Sequence, residues 1–273
     1  MARETVAIAE RGSYLDGSGA EVRIDVRPAV AGTRLHLPEE VLAEPGDVRA
    51  EAGVAERGTV EVTGESTLAA ARRLGAEGDV AALVFASARN AGGGFLNGAK
   101  AQEESIARGS ALYPCLLAAP EFYAHHRAHA ELTYSDRVIH SPRVPVFRDD
   151  RGDLLPAAYP VSFLTAAAPN LGAVRRNQPE LADQVPAVLR RRAARVLAVA
   201  AAHGHRRIVL GAWGCGVFGN DPTTVARAFA DALRDRPFER VVFAVLGPNR
   251  PEFSAVFAGE RRGTDPIGER TIG

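Results

Sequence analysis

Asp79-Val-Ala-Ala-Leu-Val-Phe-Ala-Ser-Ala-Arg-Asn90 runs directly into Ala91-Gly-Gly-Gly-Phe-Leu-Asn-Gly-Ala-Lys-Ala-Gln-Glu-Glu104. The first eight residues are nearly all apolar, as in a strand covered on both faces. Three consecutive glycines, Gly92, Gly93 and Gly94, follow, and a helix is predicted from Gln102 to about Ala111. Strand, glycine-rich loop and helix in that order form one unit of an α/β sheet. Such sheets bind ligands outside the carboxyl ends of their strands.

Working outward, the same unit recurs. Arg207-Ile-Val-Leu is a predicted strand, and Gly211-Ala-Trp-Gly-Cys-Gly-Val-Phe-Gly-Asn is a second glycine-rich loop. Asp221-Pro222 then starts a helix, because Asp caps it and Pro suits the first turn. Thr59-Val-Glu-Val-Thr alternates with period two and predicts a strand. Ser66 to Leu74 predicts a helix closed by Gly75. Val138-Ile-His-Ser, Val161 to Ala166 and Arg240 to Val245 predict three more strands, and Glu180 to Ala202 has helical spacing. The expected fold is a layered α/β domain. Residues 1–57, rich in Gly, Pro and Glu, are expected as an extension of helices and loops, with Leu42-Ala-Glu-Pro-Gly-Asp stopping a short helix. Residues 58–273 are expected as the core of what is one domain overall.

The chain has 273 residues, 46% hydrophobic and 24% charged, which permits a sizeable core. Its 33 basic and 33 acidic side chains balance, which argues against a general nucleic-acid binder. The two cysteines form no Cys-x-x-Cys pair, so no structural zinc is expected, and their scarcity suits a reducing compartment. Neither an apolar leader nor a membrane-length apolar run is present, so a cytoplasmic protein without membrane contact is expected.

The first loop is not a Walker phosphate loop. Gly93 and Gly98 have its spacing, but Ala99 precedes Lys100 and Ala101 replaces the magnesium hydroxyl. A lone glycine triplet is most simply a turn, and Glu103-Glu104 in a first helical turn are most simply partners of the helix dipole. Together they suggest more. A carboxyl beside a backbone cradle faces a ligand in a partly dry place, where burial raises its pKa toward general-acid values. The helix N-terminus pulls the other way. In the second loop, amides ahead of a helix suit an anion.

Gly92-Gly93-Gly94, seven residues, then Gln102-Glu103-Glu104 resembles the signature of the poly(ADP-ribose) glycohydrolases, a branch of the macrodomain superfamily. The flanks Phe85-Ala-Ser-Ala-Arg-Asn and Ser105-Ile-Ala-Arg-Gly-Ser-Ala-Leu-Tyr resemble its compact bacterial branch, which often has Pro where Ala91 stands. The resemblance implies a macrodomain-like sheet with flanking helices. It implies hydrolysis of ribose–ribose bonds in poly(ADP-ribose), with Glu104 as general acid and base. Glu103 and Asn90 would hold ribose hydroxyls, and Gly92, Gly93, Gly94 and Gln102 would complete that wall. Gly214, Gly216, Val217, Phe218 and Gly219 would meet diphosphate and ribose, with Phe218 over the ligand. Partners would be ADP-ribose, its polymer and ADP-ribosylated proteins; no metal or cofactor is implied. Two alternatives stay open: a non-catalytic ADP-ribose reader, which has no need of a positioned acid, and a mono-ADP-ribosyl hydrolase.

Other groups are read as structural. Glu121, His125 and His129 share a helix face but lack a zincin arrangement, so they are expected to be solvated. Arg190 to Arg192 are expected on a wet surface. Cys215 lacks a neighbouring His of the kind that activates a nucleophile. Asn170 receives no role, and no motif marks the adenine pocket.

Overall fold

The apolar run after Asp79 becomes a strand with two covered faces, and its alternation shows how. Ala82 and Val84 point into one hydrophobic cluster, while Ala81 and Leu83 point into the other. The computed structural model describes residues 1–42, 58–234 and 236–262. In chain order, α1 (Ala2–Arg11), the hairpin β1 (Ser13–Leu15) and β2 (Glu21–Arg23), α2 (Arg27–Ala31) and β3 (Arg34–His36) precede the core elements. Then come β4 (Thr59–Thr63), α3 (Thr67–Gly75), β5 (Ala81–Phe85), α4 (Gln102–Gly109), α5 (Leu112–Leu117) and α6 (Pro120–Ala128). The long antiparallel pair β6 (Val138–Arg148) and β7 (Leu154–Ala166) leads to α7 (Leu171–Asn177) and α8 (Val185–Ala202). The described chain finishes with β8 (Arg207–Leu210), α9 (Pro222–Leu233), β9 (Arg240–Ala244) and α10 (Arg250–Arg262).

The main sheet has the order β3-β6-β7-β5-β8-β9-β4. β7, β5, β8, β9 and β4 are parallel, and β6 and β3 complete the other edge antiparallel. One face carries Leu68 and Leu74 of α3, Ile106 of α4 and Phe122 of α6; the other carries Leu197 of α8, Phe229 of α9 and Phe253 of α10. The layered α/β architecture is as expected. Because the parallel strands share a direction, the loops after Phe85, Ala166, Leu210 and Ala244 all leave one edge.

Local signals operate as the residues dictate. Ser66 caps α3 by accepting from the Ala69 amide at 3.0 Å. Asp221 caps α9 by accepting from the Thr224 amide at 2.7 Å, with Pro222 in the first turn.

Two expectations change, and a third lies largely outside the described residues. The N-terminal stretch is not only helices and loops: β3 joins the main sheet, pairing Arg34 with His140 and His36 with Val138. Of the stop predicted at residues 42–47, only Leu42 is described, and it is not helical; the remainder lies outside the described residues. Arg192 is not on a wet surface. It is fully buried, donating Nε–H to Asp136 Oδ1 at 2.8 Å and an N–H to the Ala167 carbonyl at 2.7 Å. Arg190 and Arg191 are exposed as expected. A helix face was read there from spacing alone, whereas Asp136, on a distant loop, supplies the counter-charge.

β3 is held by imidazoles. His36 Nε2 lies 2.9 Å from His203 Nε2, and His140 Nε2 lies 3.0 Å from His205 Nε2. The His140 and His203 rings stack at 3.7 Å, and Glu40 accepts from His36 Nδ1 at 3.0 Å. Each N···N contact needs one bare nitrogen, so at least one ring of each pair is neutral, and protonating both rings of a pair breaks its contact. Burial, reinforced by neighbouring imidazoles, depresses His140 to about 2 and His205 to about 4. Burial also depresses His36 and His203. Folded values below the unfolded value of about 6.5 mean that this contribution is complete above about pH 6.5 and is lost as pH falls toward 4. The thermal midpoint is therefore expected to drop between pH 7.5 and pH 5, and His140→Phe is expected to narrow that drop. Equal drops in both proteins by calorimetry contradict this account.

Candidate active site

Helix α4 begins at the carboxyl edge because Gln102 fixes it there. Its Oε1 accepts from the Phe85 amide at 2.9 Å; its Nε2 donates to the Leu83 carbonyl at 2.8 Å and to Thr67 Oγ1 at 3.1 Å. This amide welds α4 to the end of β5 and the start of α3. The next two residues then point beneath the glycine loop.

Both glutamates are buried, Glu103 at 2% exposure and Glu104 at 8%. Glu103 Oε2 accepts from the Ser87 amide at 2.6 Å, and Glu104 Oε1 accepts from the Gly94 amide at 2.8 Å. The other oxygen of each is buried without a hydrogen-bond partner among the described residues. Burial, with a further push from Glu104, raises Glu103 to about 8 against the opposing pull of the Ser87 and Gly92 amides. Burial thus favours the protonated form of Glu103, which is able to donate.

The glycines are required by shape. Gly92 and Gly93 have φ of 68° and 59°, the left-handed region that other residues rarely occupy. A Cβ on Gly93 would lie 2.3 Å from Glu104 Oε1 and 3.0 Å from Glu103 Oε2. Only a bare backbone can pass over both carboxyls. Most of this loop's amides serve the loop itself: Gly93 donates to the Asn90 carbonyl and Phe95 to the Gly92 carbonyl. Asn90 is exposed at its mouth.

The second loop stands beside the first because β8 is the sheet neighbour of β5. A Cβ on Gly211 would lie 3.0 Å from the Phe85 ring. Trp213 is buried and donates from Nε1 to the Ala166 carbonyl at 3.0 Å, and Asn220 Nδ2 donates to the Pro169 carbonyl at 2.9 Å. The tip projects outward, with Gly216 and Gly219 exposed and Val217 92% exposed. Phe218 is half-buried. A Cβ on Gly214 would lie 2.6 Å from the Ala168 Cβ, so this turn also depends on glycine.

A cavity of about 1440 Å³ lies along these loops. Gln102, Gly214, Gly216, Val217 and Phe218 line it. Glu103 and Glu104 do not; the glycine loop lies over them. Sequence reasoning missed the layer behind that loop. Tyr113 packs on Phe95 with ring centroids 5.2 Å apart, and the Tyr123 hydroxyl is buried without a partner among the described residues. Burial and the nearby Glu103 push its pKa up. Among the described residues no group of three or more His, Cys, Asp and Glu is placed to hold a metal ion. Burial raises the Cys215 thiol to about 12, which leaves it un-ionised and a poor nucleophile. Asn170 caps α7 by accepting from the Ala173 amide at 3.0 Å.

An acid pair roofed by glycines lies beside a large cavity at the carboxyl edge of a parallel sheet, an arrangement suited to acid-assisted hydrolysis. Residues 2–149 match the catalytic domain of microbial-type poly(ADP-ribose) glycohydrolase (PARG), and the chain belongs to that family. It is accordingly a glycosidase with a macrodomain-like fold. It is 51% identical to the poly(ADP-ribose) glycohydrolase from Thermomonospora curvata, with a TM-score of 0.84 over 94% of this chain and 97% of that one. The same enzyme bound to the inhibitor ADP-HPD matches at 51% identity and a TM-score of 0.82, over 95% and 97% of the two chains. The Deinococcus radiodurans enzyme in complex with ADP-ribose matches at 46% identity and 0.78, over 86% and 98%. No curated protein sequence matches the chain. Among the described residues, no helix is long and apolar enough to cross a membrane.

Proposed function

We propose that the chain cleaves the ribose–ribose O-glycosidic bonds of poly(ADP-ribose) and releases ADP-ribose, with Glu104 moving the proton. The observation that carries this is the pair of adjacent buried carboxyls, each with one oxygen unpartnered, beneath a loop of bare backbone. Glycoside hydrolysis passes through an oxocarbenium-like state, and the departing ribose oxygen must be protonated. Glu104 supplies that proton and its carboxylate then takes one from the incoming water. Glu103, pushed toward its protonated form by burial, donates to a ribose hydroxyl, and Asn90 holds a second hydroxyl from the loop mouth. Gly92, Gly93 and Gly94 lift enough to admit the sugar, since no side chain on any of them stands between it and the carboxyls.

The diphosphate falls to the second loop. That turn uses the amides of Trp213, Cys215, Gly219 and Asn220 for its own hydrogen bonds. The backbone from Gly216 to Phe218, close to the start of α9, is the part that meets an anion. Gln102 acts by positioning α4. Both cysteines are free, which supports a place in the cytoplasm.

Labelled polymer incubated with the protein and resolved by chromatography tests the reaction: free ADP-ribose is expected, and its absence while ligand is still bound overturns it. Phe218→Ala is expected to weaken ADP-ribose binding by about tenfold, the scale of one lost aromatic contact. An unchanged affinity by calorimetry removes Phe218 from the site.

A further inference from the structure

Phe218 rests against Tyr134, their ring centroids 6.2 Å apart and tilted by 49°. Tyr134 has φ of 60°. Only Arg143, at the bulge in β6, shares a left-handed backbone among the described non-glycine residues. An aromatic residue takes that conformation only when its surroundings impose it.

The surroundings do so from several sides. The Tyr134 amide closes a turn on the Glu131 carbonyl at 3.3 Å, and the Ser135 hydroxyl meets His126 Nε2 at 2.8 Å. Asp136 is gripped by Arg191 and by the buried Arg192. The His126 ring, carried on α6, stands edge-on to Tyr134 with centroids 5.7 Å apart. The turn is also tied to the second glycine loop through one short segment. The Asn170 amide donates to the Leu132 carbonyl at 3.0 Å, and the Gly172 amide donates to the Phe218 carbonyl at 2.9 Å. Residues 170–172 thus hold the two loops at a fixed separation.

We propose that Tyr134 is a positioning residue whose ring is the backstop that keeps Phe218 over the ligand. This rests on the placement of Phe218 in the site. Phe218 lies between exposed Val217 and exposed Gly219, the latter at φ of 69°, and its half-buried ring packs against the core cluster on one side and against Tyr134 on another. A ring held from behind is ready to meet substrate; a free ring must be ordered on binding.

A double-mutant cycle tests this, with ADP-ribose affinity by calorimetry and with kcat and KM on polymer. Tyr134→Asn removes the ring and tolerates the left-handed backbone. Tyr134→Phe keeps the ring. Tyr134→Asn is expected to weaken ADP-ribose binding and raise KM by about three- to tenfold, with kcat nearly unchanged. Tyr134→Phe is expected to restore parental values. In a Phe218→Ala background, Tyr134→Asn is expected to add nothing. An equal loss in both backgrounds overturns the proposal, since Tyr134 then acts independently of Phe218. So does unchanged affinity in Tyr134→Asn when Phe218→Ala alone weakens binding. Unchanged affinity in Phe218→Ala itself removes the underlying placement, and the proposal with it. Should Tyr134→Asn fold poorly, a Tyr134→Leu cycle decides by the same criterion.

Discussion

Glu104→Gln is expected to release no measurable ADP-ribose from polymer while binding ADP-ribose within a few-fold of the parent. The amide has the size of the acid, and its oxygen still accepts from the Gly94 amide, a 2.8 Å contact in the parent. The loop above keeps its shape because Gly93, the residue nearest the carboxyl, meets an isosteric group. What disappears is the transferable proton. A positioned general acid contributes about 10²–10⁴ in rate, and here one residue serves both proton transfers. Turnover within tenfold of the parent overturns the assignment. Equal loss of binding and turnover assigns Glu104 to substrate holding instead.

Asp136→Ala is expected to be the most damaging substitution away from the carboxyls. It leaves the Arg192 guanidinium, with no exposed surface, facing only the Ala167 carbonyl. Burial pushes the Asp136 carboxyl up, yet hydrogen bonds and charge from Arg191 and Arg192 more than offset it and hold the pKa below the usual range. Removing one member of a buried pair costs about 3–5 kcal/mol. For a chain of this size the thermal midpoint is expected to fall by roughly 5–9 °C. Asp136→Ala combined with Arg192→Met is expected to recover most of that loss, because no buried charge remains. A single-variant shift no larger than an exposed pair produces, under about 1 kcal/mol, contradicts this account.

Why these features differ in legibility is physical. β5, β8 and β9 were readable because strands covered on both faces are apolar runs, each followed by a turn. The first loop was readable because glycines and acids must sit at a fixed spacing for backbone to cross carboxyls. β3 was hidden: Arg34-Leu-His36 has no apolar run, and its partner, His140 on β6, lies far along the chain. Half of each long strand was hidden too. Pro145 and Pro160 look like breakers, yet they face each other in β6 and β7 beyond a bulge. Arg192 was misplaced because its partner lies on a separate loop. Gln102 lines the cavity, and its amide also bonds to Leu83, Phe85 and Thr67, contacts that exist only once α4 has docked and that no motif reveals. Tyr123 and Tyr134 carry no motif, and Tyr113 ends the quoted flank without a role legible there; tertiary packing brings all three to the site.

The edge strand β4 runs alongside β9, with Thr59 opposite Arg240 and Thr63 opposite Ala244. A ribosome makes the first of these roughly 180 residues before the second, which at about 5–20 residues per second is about 9–36 s. Throughout that interval the Thr59–Thr63 segment has no sheet to join, and its alternating Val60 and Val62 are open to other chains. Glu61 answers this: a charge in the middle of a waiting strand disfavours pairing with a copy of itself. After β9 arrives, the same carboxylate pairs with Arg240 at 2.6 Å. One residue thus serves as a guard during synthesis and as a fastening afterward.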